Sequence, residues 1–151
     1  MQISLRVIQL IYLSLVITPT FFALATYYLF TIGYQASGET EDILMYLPAT
    51  SLLFSVPLGN FLYKRALVHV TPEMSLKNKL SRYQIAVILR AALIELAALL
   101  ASVICYLSGN ILLLLIVPIC WVLFYFNRPI VSAMEMDLLL SPDEVKALKK
   151  A

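Results

Sequence analysis

The sequence predicts an all-α integral membrane four-helix bundle with a short cytoplasmic C-terminal helix, and three observations predict it. The 151 residues are 62% hydrophobic and only 13% charged, an apolar excess far outside the range of soluble domains. The apolar residues fall in four runs of roughly the 20 residues a helix needs to cross a bilayer. Every Lys and Arg can be placed on one side of those runs. Lipid accommodates exposed apolar side chains but offers backbone amides no partner, so each run has to pair its own amides as a helix. The short alternating segments of a membrane barrel are absent.

The runs extend approximately over Val7–Gly33, Leu44–Tyr63, Tyr83–Leu107 and Ile111–Phe126. Residues 1–128 are thus read as the transmembrane domain and residues 129–151 as a cytoplasmic tail. The fourth run is short, but Asn110 and Arg128 can sit at the two interfaces with modest tilt or bilayer thinning. The first run has a rival reading as a cleavable signal, from Arg6, Pro19 and the A-x-A pattern at Ala23–Ala25. It continues through Tyr27, Tyr28, Leu29 and Phe30, which favours a full span.

The connections set the orientation. The first loop carries Glu39, Glu41 and Asp42 without a basic residue, and the third is a tight turn at Ser108, Gly109 and Asn110. Arg6 precedes the first run; Lys64, Arg65, Lys77, Lys79 and Arg82 surround the second loop; Arg128, Lys146, Lys149 and Lys150 lie in or before the tail. By the positive-inside rule both termini are then cytoplasmic, in a multi-pass membrane protein. Thr71-Pro72-Glu73 and Ser75 are helix-start signals, so the third helix begins below the membrane and turns a basic face to the headgroups. Ser141-Pro142-Asp143-Glu144 is a capping box with proline at the first helical position; Lys146, Lys149 and Lys150 follow toward the C-terminal end. A solvated surface helix from Pro142 onward is the expectation.

Several function classes drop out. A net charge of +2 without an isolated basic tract gives no basis for binding nucleic acid. Cys105 and Cys120 lie in apolar runs without disulfide or CxxC spacing, and His69 is the sole histidine, so no metal or other cofactor is expected. No nucleophile with a histidine partner, metalloprotease motif or phosphate-binding glycine loop occurs, and no enzyme is expected.

Glu95 near the middle of the third run is the residue that asks for a function. An ionised carboxylate at that depth costs several kcal/mol unless it is paired or protonated. Helical spacing sets Gln84, Ala91, Glu95, Ala98, Ser102 and Cys105 along one stripe of mostly small residues, which predicts that Glu95 faces protein. The antiparallel second run carries Ser51, Ser55 and Gly59 on a comparable face, making Ser55 a candidate hydrogen-bond partner for Glu95. Arg90 lies about 140° around the helix from Glu95 and can reach the headgroups or a carboxylate of another helix or subunit. The prolines at 19, 48, 57 and 118 can free carbonyls and kink their helices, with Thr18 and Thr20 beside Pro19 able to satisfy the released group. Trp121, Tyr125, Tyr12, Tyr27, Tyr28 and Tyr63 read as interface anchors and packing.

The segment Arg90-Ala91-Ala92-Leu93-Ile94-Glu95 with Leu96–Ser102 resembles the ion-carrying helix of ATP synthase c-type proteolipids. That resemblance implies a carboxylate binding a proton or sodium ion in an oligomeric ring. The partner run has Gly59 alone where that family has a glycine ladder. Tyr83-Gln84 through Arg90, Glu95, Gly109 and Asn110, then Arg128-Pro129 and Asp137–Ser141, also looks like an uncharacterised group of small four-span bacterial membrane proteins, a resemblance that implies this topology in the bacterial cytoplasmic membrane. Two readings follow. One is a membrane subunit, homo-oligomeric or bound to a larger membrane partner, with an ion-binding Glu95. The other is an accessory or scaffolding protein in which Glu95 and Arg90 are structural polar contacts.

Overall fold

Helix α1 (Leu5–Thr31), a single turn α2 (Asp42–Met45), α3 (Leu47–Leu67), α4 (Leu76–Ser108), a 3-10 turn (Ile111–Leu115), α5 (Ile116–Phe126), α6 (Val131–Asp137) and α7 (Pro142–Lys150) follow in order. The computed structural model describes residues 5–34 and 42–150, all of them helical or in connections, with no strand among them. The expected acidic loop, with Glu39 and Glu41, lies outside the described residues, as do the side chains of Asp42, Lys149 and Lys150.

Among the described residues three helices are long and apolar enough to cross a bilayer: Arg6–Thr31, Ile43–Leu67 and Leu76–Ser108. The fourth candidate is the Ile111–Phe126 segment taken together with α6, and the pair is bent by 65°. Two residues account for its broken shape. Pro118, in the first turn of α5, has no N–H to give the Leu114 carbonyl, and the five residues ahead of α5 take the 3-10 form. That form lengthens the segment by about 2.5 Å relative to an α-helix, which partly offsets its small number of residues. Pro129 pushes Arg128 out of the helical region and ends α5, so that α6 starts afresh after an extended Ile130.

Helix α4 is the centre of the molecule, packed against α3, α1 and α5. Its buried positions, among them Leu80, Tyr83, Val87, Ala91, Ile94, Ala98, Ala101 and Cys105, repeat at three and four residues. The alanines on this face let neighbouring helices approach closely. With 33 residues α4 is about 50 Å long at 1.5 Å per residue, well beyond the roughly 30 Å of a hydrocarbon core. It ends at Gly109, whose N–H still reaches the Cys105 carbonyl and whose left-handed φ of 69° then turns the chain out of the helix. The Asn110 side chain then accepts from the Leu112 N–H and starts the 3-10 turn.

Pro19 is fully buried inside α1. The flanking threonines do not serve the carbonyl it releases, that of Leu15. Thr18 Oγ1 donates to the Ser14 carbonyl at 2.9 Å and Thr20 Oγ1 to the Val16 carbonyl at 2.8 Å. Thr20 Oγ1 also accepts from Trp121 Nε1 at 2.9 Å, so it joins α1 to α5.

The tail corrects two expectations. Helix α7 is amphipathic and docked, with Val145 and Leu148 buried. Its capping box closes in both directions, the Ser141 N–H donating to Glu144 Oε2 and the Glu144 N–H to Ser141 Oγ. Glu144 then pairs with Lys79 Nζ at 3.0 Å. Lys79, expected on a basic face toward headgroups, is only 1% exposed, while Lys77 and Arg82 remain at the surface.

Candidate functional site

The contacts between helices bring the basic residues to one end. Gln9 Nε2 donates to the Pro129 carbonyl, and the Tyr12 hydroxyl donates to the Phe124 carbonyl. These bonds set the start of α1 beside the end of α5. Tyr63 near the end of α3 lies edge-on to Tyr83 near the start of α4, with ring centroids 6.2 Å apart. At the opposite end the Thr26 hydroxyl donates to the Ser102 carbonyl, and Tyr34 stacks on Tyr106.

Five residues were singled out on sequence grounds, and the fold separates them. Gly59 of α3 faces Arg90 so closely that a Cβ there would lie 3.2 Å from Arg90 Cγ. Helix α3 thus covers the Arg90 side of α4, and Glu95, about 140° around the helix, points elsewhere. Ser55 is 3% exposed and donates its hydroxyl to the Leu52 carbonyl of its own helix, and no hydrogen bond joins it to Glu95 in the single chain. Ser102 is buried and likewise donates to the Ala98 carbonyl. Of the predicted stripe, Ala91, Ala98, Ser102 and Cys105 lie in the packed seam, while Gln84 and Glu95 are half-buried at its margin. Among the described residues the Glu95 carboxyl enters no ion pair, and no fully buried side-chain oxygen lacks a partner. Its oxygens therefore reach the outside of the single chain.

Arg90 meets an aromatic ring in place of a carboxylate. Its guanidinium carbon lies 5.3 Å from the centre of the Tyr63 ring, within reach of cation–π attraction. The Tyr63 hydroxyl donates to Asp137 Oδ2 of α6, which ties α3 to the region after the bend. Tyr63, Tyr83, Arg90, Asn127, Arg128 and Asp137 thereby enclose a small polar cavity of about 80 Å³. Sequence reasoning misses this cluster because it draws on four elements, and because residues 129–151 read as a cytoplasmic tail.

Arg128 also lines a second feature, an open apolar groove of about 590 Å³ between α1 and α5, walled by Tyr12, Leu13, Val16, Trp121 and Tyr125. The Arg128 guanidinium carbon lies 4.5 Å from the centre of the Tyr125 ring, which fixes it at the end of this groove. Polar cavity and apolar groove are thus joined through one arginine.

Outside the apolar helices, the fold perturbs the carboxyl of Glu144. Burial pushes its carboxyl up, but the Ser141 N–H and the Lys79 ammonium outweigh that and hold it below the usual carboxylate range. Comparison with protein-family models, with curated proteins and with solved structures finds no match to this chain.

Proposed function

We propose that the chain is a non-enzymatic, multi-pass subunit of the bacterial cytoplasmic membrane in which Glu95 binds a proton or cation where α4 meets a second copy of the chain. One observation carries this reading. Glu95 sits far inside an apolar helix, at the edge of the packed face, and its oxygens reach outward without an ion-pair partner among the described residues. In hydrocarbon such a group has to be protonated, hold a cation or meet a partner from another chain, since a bare carboxylate there costs several kcal/mol. The resemblance of Arg90–Ser102 to the ion-carrying helix of c-type proteolipids supports the same assignment. The positions of Lys and Arg along the sequence, read by the positive-inside rule, support a cytoplasmic side for both termini.

Arg90 supports the second reading, an accessory protein with polar locks. It packs on Gly59 and the Tyr63 ring inside one chain, and these contacts fix α3 against α4. The two residues are accordingly given different duties.

Carbodiimide labelling and flux test the reading. In vesicles, Glu95 should react with a hydrophobic carbodiimide, and a pH-driven flux should be lost in Glu95→Gln while the protein stays folded. A chain that carries no flux, and whose Glu95→Gln variant changes only its oligomeric state, has Glu95 as a contact and sinks the ion-binding reading.

A further inference from the structure

We propose that the basic end of the molecule binds an anionic phospholipid, its phosphate held at Arg128 and Arg90 and one acyl chain laid in the groove between α1 and α5. The inference rests on the membrane-immersion part of the reading above and is independent of the role of Glu95.

Three features point to such an amphiphile. The first is charge. The polar cavity is lined by two arginines, Arg90 and Arg128, and by one acidic residue, Asp137, whose carboxylate already accepts from the Tyr63 hydroxyl. Among the described residues the ion pairs are Lys79–Glu144 and Lys146–Asp143, so neither arginine is neutralised by an acidic partner. Unpaired guanidinium groups at the rim of an apolar surface are suited to phosphate oxygens, which they can meet with two parallel hydrogen bonds.

The second feature is size. The cavity holds the volume of about two or three water molecules, enough for a phosphate-sized anion and not for a bulky headgroup. The groove is several times larger, about 590 Å³, and its walls are apolar apart from Gln9 and Arg128 at the basic end. The Gln9 amide is itself occupied by the Pro129 carbonyl. An open apolar groove with polarity at one end matches an acyl chain joined to a charged head.

The third feature is the link. Arg128 lines both spaces, and its stacking on Tyr125 holds the guanidinium where the groove ends. Trp121, in the groove wall, is anchored by its bond to Thr20. The groove is therefore preformed and needs no rearrangement to be filled.

The test uses the full chain purified in a neutral detergent, with binding followed by native mass spectrometry and by thermal shift. Phosphatidylglycerol, phosphatidylcholine and inorganic phosphate serve as the three probes. Phosphatidylglycerol should bind at least tenfold more tightly than phosphatidylcholine and raise the unfolding midpoint; inorganic phosphate should do neither. Arg128→Gln, at an exposed position, should remove the preference, whereas Lys64→Gln at the same end but outside the cavity should keep it. Leu13→Trp, also at an exposed position, should obstruct the groove and weaken both lipids. Equal binding of the two lipids, a preference that survives Arg128→Gln, or phosphate matching phosphatidylglycerol with Leu13→Trp silent would each overturn the proposal. Alkaline extraction of the membranes separates the two levels of inference. Release of the chain would defeat membrane immersion, while a retained chain without lipid preference would defeat only the lipid site.

Discussion

At the scale of single residues, two backbone positions make opposite demands. Gly59 marks the close approach of α3 to α4, where a Cβ would meet Arg90 Cγ at 3.2 Å and the Arg90 backbone at 3.6 Å. Gly59→Ala should be nearly neutral: the gain in helix propensity, about 1 kcal/mol, is set against a shift of a flexible side chain. Gly59→Leu has no such escape, since the atoms behind Arg90 Cγ are backbone, and should cost about 1–3 kcal/mol in thermal unfolding in detergent. Equal midpoints for the two variants would mean that α3 and α4 are not held this close. Leu139 is the reverse case, a leucine at φ 50° that is largely exposed. It lets the Leu140 N–H reach back to the Glu135 carbonyl and so closes α6. Leucine pays about 1 kcal/mol or more for this conformation, whereas asparagine visits it readily. Leu139→Asn should raise the unfolding midpoint by a few degrees, and a lower midpoint would show that the Leu139 side chain matters more than its backbone.

Among the elements, α7 is held by an ion pair whose two halves are unequal. The Lys79 side chain is 1% exposed and that of Glu144 20%. Glu144→Gln strands a buried ammonium, while Lys79→Met leaves a carboxylate that water can still reach. Glu144→Gln should therefore loosen α7 by roughly 1.5–3 kcal/mol and Lys79→Met by clearly less, read as hydrogen exchange of the α7 amides. If Lys79→Met proves the worse of the two, the burial asymmetry is not what holds the helix. The same pair sets a pH dependence. The folded Glu144 carboxyl lies below its ordinary value of 4.5, so its contribution is complete above that value and is lost as pH falls through the lower, folded one. Docking of α7 should be constant at neutral pH and fail on acidification, and in Glu144→Gln this acid step should be missing. The capping box itself was legible, because Ser141 and Glu144 act over three residues of contiguous chain. The docking was not, because Lys79 lies far away in sequence and nothing local distinguishes it from the exposed Lys77. For the same reason the apolar runs announced their helices, whereas the bend after Phe126 and the Tyr63–Asp137 bond depend on how distant segments meet.

At the scale of the whole molecule the arrangement is polarised. Aromatic stacking of Tyr34 on Tyr106 and the tight turn at Gly109 close one end, while the other holds the basic residues, the overhang of α4 and the docked tail. This asymmetry was visible in the sequence as a charge bias, since the positions of Lys and Arg along the chain need only the direction of each helix to be read. The candidate site was less visible: Glu95 and Arg90 stood out by their chemistry, but their separation around α4, and the capture of Ser55 by its own helix, follow from packing. The membrane orientation proposed here can be checked directly, because the native thiols Cys105 and Cys120 are buried and contribute little background. A cysteine placed at His69, exposed between α3 and α4, should be protected from a membrane-impermeant maleimide in intact cells and should react once the membrane is opened. A cysteine at Ser108, in the turn at the opposite end, should react in intact cells. The inverse pattern would reverse the molecule and place its arginines outside. Reaction at both positions in intact cells would be incompatible with α4 crossing the bilayer at all.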